Sequence, residues 1–262
     1  MGVSRKLLRL KRRCVSSWWY FTGLAAIAVA LVLWGASPNW GNAGVRIPAM
    51  SQLSNTLHSE IDRLPLRPHP LPESLRSVTL EGDDYFDRLE PTPVGALVWS
   101  SFPVRVYIDA NAPADWQAAV ESVLDEWGVY LPLSRVADSE TANITILRIN
   151  PPPRRSNGQL RAASARTTYQ LFWDEATLRH QFSIVVSPTQ VGEYIKSAVR
   201  HELGHALGIW GHSDAETDVM YFSQVRRPAV ISPRDVRTLR RVYEQPTRLG
   251  WNGEEGSQES SH

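Results

Sequence analysis

The sequence predicts an α+β domain over residues 96–247, and three observations carry that prediction. Short runs with a two-residue alternation, such as Val104, Val106 and Ile108 around Arg105 and Tyr107, read as strands with one face in a core. Between and after them lie segments of helical spacing, such as Trp116, Val120, Val123, Leu124 and Trp127. A hydrophobic fraction of 42% and ten tryptophans are enough to pack such a core. The chain's 262 residues leave room for one such domain and its appendages.

Taken in order, Val104 to Ile108 is the first strand. The helix through Trp116 and Trp127 comes next, with Pro113 near its start and Gly128 at its end. Ile144 and Ile146 mark a second strand, closed by Pro151, Pro152 and Pro153. Residues 154–165 are polar and basic and read as a surface loop. Thr167 to Trp173 and Phe182 to Val186 are two further strands, rich in β-branched and aromatic residues. A helix is expected from Gln190 to Leu207. A last one starts at Ser232, where a serine cap, Pro233 and an acid three residues on form a start signal; Val236, Leu239 and Tyr243 give it an apolar face.

The helix 190–207 carries the chemistry. It contains His201-Glu202-Leu203-Gly204-His205, then Gly208, then His212. His201 and His205 are one helical turn apart and share a face, so two imidazoles can bind one zinc ion. Glu202, about 100° round the helix, is set to take a proton from zinc-activated water and return it to a leaving amine. Gly208 falls where a helix ends in a left-handed residue, after which the chain can turn and bring His212 back. In a chain of this composition H-E-x-x-H arises by chance roughly once in a hundred sequences. The alternative is a buried amphipathic helix whose histidines are satisfied by carbonyls.

These residues resemble the metzincin zinc endopeptidases, whose pattern is H-E-x-x-H-x-x-G-x-x-H followed by a methionine turn, and within them the matrixin branch. His201, Glu202, His205 and Gly208 match in place. Three residues, Ile209, Trp210 and Gly211, separate glycine from the third histidine where the family has two. The match resumes with Ser213 and with Asp218-Val219-Met220-Tyr221, which looks like the methionine turn. The resemblance implies a mixed twisted sheet with a long zinc-binding active-site helix and a C-terminal helix. It also implies one catalytic Zn(2+) held by His201, His205 and His212, with a small bulge near Gly211 absorbing the extra residue. Asp214, Glu216 and Asp218 are the substitutes for His212 within reach. Met220 is expected as a hydrophobic floor under the ligands and Tyr221 as a wall of the substrate pocket. The strand at Thr167, or the next one, would border the cleft, where an extended protein or peptide substrate adds as a further strand.

The implied activity is zinc-dependent endopeptidase, with Glu202 as general base and acid. Two alternatives come from other classes: a non-catalytic zinc-stabilised surface domain, with Asp214 or Asp218 filling the fourth position, and a zinc hydrolase of a non-protein amide. The remaining histidines, His58, His69, His180 and His262, lack ligand spacing and read as surface residues, with His180, between two strands, the one to watch. Asp83, Asp84 and Asp87 lack the glycine and glutamate of a calcium loop and read as solvated charges; structural calcium is left open. The single cysteine, Cys14, excludes an internal disulfide and a cysteine-based zinc site, and gives no basis for a propeptide thiol switch.

Six of the 28 basic residues fall in the first 13 positions, which hold no acid. The rest of the chain is net acidic, which argues against nucleic acid as a partner. Residues 18–34 come next, uncharged and rich in aromatics, and are expected to place the chain in a membrane. They read as a signal anchor that leaves the domain on the extracytoplasmic side; a cleaved signal peptide, releasing the domain, is the alternative. Residues 36–95, interrupted by eight prolines, read as a stalk or, alternatively, a propeptide or strap across the cleft. One short amphipathic helix fits within Ser51–Leu64. Residues 248–262 read as a polar disordered tail. No obligate protein partner is indicated.

Overall fold

The computed structural model describes residues 60–156 and 159–251. All the described residues belong to one compact unit. The basic run, the segment 18–34, the tail from residue 252 and most of the helix expected within Ser51–Leu64 lie outside the described residues. Among the described residues, no helix is long and apolar enough to cross a membrane.

In chain order the elements are α1 (Glu73–Arg76), β1 (Val104–Ile108), α2 (Ala114–Gly128), β2 (Leu133–Val136), β3 (Ile144–Leu147), β4 (Arg154–Ser156), β5 (Gln159–Arg161), β6 (Ala165–Asp174), β7 (Thr177–Val186), α3 (Glu193–Ala206) and α4 (Pro233–Tyr243). This is a mixed α/β fold. Five strands form one sheet in the order β2–β1–β3–β7–β6. β1 pairs parallel with β2 and β3, and β3 parallel with β7; only β6 runs antiparallel, to β7, which makes it an edge strand. Among the described residues no further strand pairs with β6, which leaves a row of main-chain donors and acceptors open at this edge.

The strands bury one face by simple alternation: Val104, Val106 and Ile108 on β1, Ile144 and Ile146 on β3, and Phe182, Ile184 and Val186 on β7. α2 and α3 lie against this sheet and each other. Trp116, Val120, Val123 and Trp127 of α2 and Ile195, Val199 and Leu203 of α3 fill the space between. Two polar ties fix the helix pair. Trp127 Nε1 donates to Arg200 O at 3.0 Å, and the Arg200 guanidinium forms a two-pronged pair with Glu126 at 2.5 and 2.8 Å.

The structure departs from the sequence reading of elements and boundaries in four places. β2 was not foreseen, since Leu133-Ser134-Arg135-Val136 is short, partly polar and lies at the sheet's other edge. The stretch 154–165 contains the β4–β5 hairpin rather than loop alone. The domain also starts well before residue 96. Leu75, Tyr85 and Val94 are buried in the core, so residues 64–95 are part of the fold and not a stalk. Prolines broke regular structure there without preventing packing, because a proline-rich strap buries side chains as well as a helix does. At the other end Leu249 is buried, and Trp251 stacks on His69 at 4.0 Å, so the folded region passes residue 247.

His180 of β7 is not at the surface but buried among aromatic rings, stacked on Trp99 at 4.0 Å and edge-on to Phe182 at 5.3 Å. Its Nε2 has no hydrogen-bond partner among the described residues. Burial pushes its pKa down to about 3, against about 6.5 in the unfolded chain. Between those values the unfolded state takes up a proton that the folded state refuses. This contribution is complete above about pH 6.5 and is lost as pH falls towards 3. His180→Phe should flatten this acid limb in urea denaturation midpoints taken from pH 7 to pH 4; an unchanged slope would count against it.

Candidate metal centre

α3 brings its chemistry to the sheet's open side by the way it is buried. Ile195, Val199 and Leu203 face the core, which turns His201 and His205 towards the cleft between α3 and the loops beyond it. The helix then ends in a Schellman turn. Gly208 adopts φ +124, its N–H donates to His205 O at 3.1 Å, and Ile209 N donates to Gly204 O at 3.0 Å. Trp99 Nε1 takes the next free carbonyl, Ala206 O, at 2.9 Å. The turn carries Ile209 O back over the helix, where it accepts from His205 Nδ1 at 2.8 Å.

The second histidine bond has the same logic. His201 Nδ1 lies 2.8 Å from Val219 O. A carbonyl only accepts, so Nδ1 carries the proton in both rings, and the lone pair of each neutral imidazole is on Nε2. Burial holds the His201 pKa below its ordinary value, with the bond to Val219 opposing. His205 is pushed further down, by burial first and then by the adjacent His201 and His212. Both rings are therefore neutral near pH 7, the form that binds a metal.

His212 joins them despite the extra residue before it. Its ring centroid lies 5.3 Å from that of His201 and 5.0 Å from that of His205. One ligand atom from each of the three histidines lies within 4.8 Å of the others. This group could hold a metal ion. The chemistry fits: neutral imidazoles, two of them with tautomers fixed by carbonyls. Two of the three expected substitutes for His212 are otherwise engaged. Asp218 accepts from Ser213, Ser232 and Arg234, and Asp214 pairs with Arg88 and Arg234. Glu216 is exposed and belongs to no metal-competent group among the described residues.

Glu202 is 9% exposed. Thr167 Oγ1 at the start of β6 lies 2.6 Å from its Oε2 and 3.0 Å from its main-chain O, so the hydroxyl proton bridges side chain and helix. Burial pushes the carboxyl pKa up to about 7, while the Thr167 bonds and the nearby Arg166 charge pull it down. A cleft of about 640 Å³ runs past these groups. Ala165, Arg166 and Thr167 form one wall, and Ala198, Tyr221, Phe222 and Val225 line another part. The edge strand β6 therefore borders the cleft, and Tyr221 lies on its wall.

Met220 is fully buried beneath α3. A Cβ at Gly204 would sit 2.4 Å from Met220 Sδ and 3.3 Å from Trp127, so any side chain there has to push Met220 aside. The turn carrying Met220 hangs on Asp235 in the first turn of α4. Its carboxylate accepts from Val219 N at 3.0 Å, Met220 N at 3.4 Å and Ser232 N at 2.8 Å, and from Tyr85 Oη at 2.5 Å. Asp235 was read only as a helix cap, and Thr167 only as part of a strand. Neither has a local motif for its contact across the fold. Gly204, inside the H-E-x-x-H element, was the legible signal for a close approach, since glycine in a helix otherwise costs stability.

Comparison with known proteins adds no relative: no protein-family model matches this sequence, and no curated protein matches it.

Gly204→Ala should cost about 1–3 kcal/mol through overpacking. The measurement is the urea midpoint of the metal-free chain. A variant as stable as the parent would mean that Met220 moves aside freely.

Proposed function

We propose that this chain is a zinc-dependent endopeptidase of the metzincin type, matrixin-like in its motif. The observation that supports it most is the pairing of two things within one cleft. Three imidazoles converge there, two with their Nε2 lone pairs free, and a buried carboxylate follows the first of them in sequence, held by a hydroxyl. A purely structural metal site has no use for such a carboxylate, and Asp214 and Asp218, which could close the site, are committed to arginines.

His201, His205 and His212 would hold the ion. A bound zinc ion supplies Lewis acidity, lowering the pKa of a water molecule towards neutrality and polarising a carbonyl. Glu202 takes the proton of the attacking water and hands it to the departing nitrogen. Thr167 keeps Glu202 Oε2 oriented during that exchange. Open main-chain groups of β6 receive an extended peptide as an added strand beside Ala165–Thr167. That mode of binding favours a protein or peptide substrate over other amides. Residues 18–34, if they anchor the chain as their composition suggests, hold the cleft on the extracytoplasmic side.

The test is cleavage of an unfolded protein by the purified full chain, with metal content measured in parallel. A chelator should abolish cleavage and added zinc restore it. Glu202→Ala should keep its zinc and lose about 100- to 10,000-fold in rate; cleavage that survives this change would overturn the reading. Thr167→Val should keep its zinc and slow turnover by about tenfold, the loss of one oriented hydrogen bond to a charged group. Equal turnover would remove Thr167 from the machinery.

A further inference from the structure

The extra residue between Gly208 and His212 has to be accommodated somewhere, and the chain does this in two ways. Trp210 N donates to Gly208 O at 2.8 Å and Gly211 N to Ile209 O at 3.1 Å, two overlapping three-residue turns that shorten the path. Gly211 then forms an antiparallel bridge with Leu89, and Glu90 N donates to Trp210 O at 2.7 Å. On the other side of His212, Ser213 N donates to Met220 O at 2.8 Å, and Ser213 bridges Tyr221. His212 is thus the middle residue of a short extended stretch pinned at both neighbours, by Leu89 before it and by the methionine-bearing turn after it.

The contact with Leu89 is close. A Cβ at Gly211 would lie 2.7 Å from Leu89 Cα and 2.8 Å from Arg88 O, both main-chain atoms with no rotamer to yield. Arg88 adds an ion pair to Asp214, two residues past His212, at 2.6 Å. The supporting segment is itself anchored. Tyr85 N donates to Thr238 Oγ1, Tyr85 Oη to Asp235, and Asp84 pairs with Arg241 at 2.9 Å.

We propose that Arg88–Glu90, upstream of the first strand, is the positioning element for His212, and that the affinity and geometry of the metal centre depend on it. The inference rests on the reading of the three histidines as a metal centre. Leu89 and Glu90 act through main-chain pairing, Arg88 through its charge. None of the three contributes a ligand, so they are positioning residues and not catalytic ones. A domain cut at residue 96 would accordingly lack part of its own site.

The experiment uses the full chain and measures Zn(2+) affinity by competition with a chromophoric chelator, together with the visible spectrum of the Co(2+)-substituted protein. Gly211→Ala forces Leu89 away, and Glu90→Pro deletes the N–H that Trp210 O accepts. Each should weaken metal binding about tenfold or more and shift the Co(2+) bands. Glu90→Ala, which keeps that N–H, should bind as the parent does. Arg88→Glu, at an exposed position, should weaken binding by about threefold, and Arg88→Lys, which keeps the charge, should bind as the parent does. Parent-like affinity and spectra in Gly211→Ala, Glu90→Pro and Arg88→Glu would overturn the proposal. A parent chain whose metal binding is absent, or unchanged by His205→Ala, would instead overturn the metal centre, and this inference with it.

Discussion

The hydrogen bond from His201 Nδ1 to Val219 O joins the two halves of the site, and most of the remaining geometry serves to keep it. On one side it needs α3 seated against the sheet, which Trp127 and the Arg200–Glu126 pair secure. On the other it needs a turn that offers a carbonyl at a fixed point. That turn has no regular structure of its own. It is held from below by Asp235, whose carboxylate accepts from two of its amides, and from within by Asp218, which gathers Ser213, Ser232 and Arg234. Buried carboxylates are costly unless their oxygens are filled. Here each is filled by several donors, and the arrangement converts a loop into a rigid part of the site.

The same principle separates the two kinds of carboxylate around the centre. Asp218 and Asp235 are surrounded by donors and serve as anchors. Glu202 has one hydroxyl near it, and burial pushes its pKa up to about 7. Burial outweighs that single hydroxyl and the nearby Arg166 charge, which is why the carboxyl is raised. Burial raises Asp235 as well, with its donors opposing, and what sets Asp235 apart is that those donors come from three different segments.

Much of this was legible in the sequence because the relevant physics is local. The spacing of His201 and His205, the glycine at 208 and the capping box at Ser232 and Asp235 are all set within a few residues, and each is found where the pattern predicts. The β1, α2, β3 and β7 assignments come from burial periodicity on one face. Contact across long sequence separation was not legible. Thr167 meets Glu202 from 35 residues away, and Tyr85 meets Asp235 from 150. No periodicity encodes such pairings. β2 escaped for a related reason: as an edge strand it needs only one good face, and four residues show no alternation.

The misplaced domain boundary has the same origin and the larger consequence. Prolines between residues 65 and 93 suggested a stalk, because proline removes amide donors and breaks periodic structure. A segment without periodic structure can still pack by burying scattered apolar side chains. Leu75, Tyr85 and Val94 bury side chains, while single amides reach across the fold: Tyr85 N to Thr238, Arg67 N to Thr247 and Glu90 N to Trp210. The strap therefore touches α4, the chain beyond it and the loop before His212. Those are three places where the rest of the domain has acceptors that its own main chain does not reach. Residues before the first strand are in this sense the last layer of the fold, and the third histidine is the part of the site that lies against it.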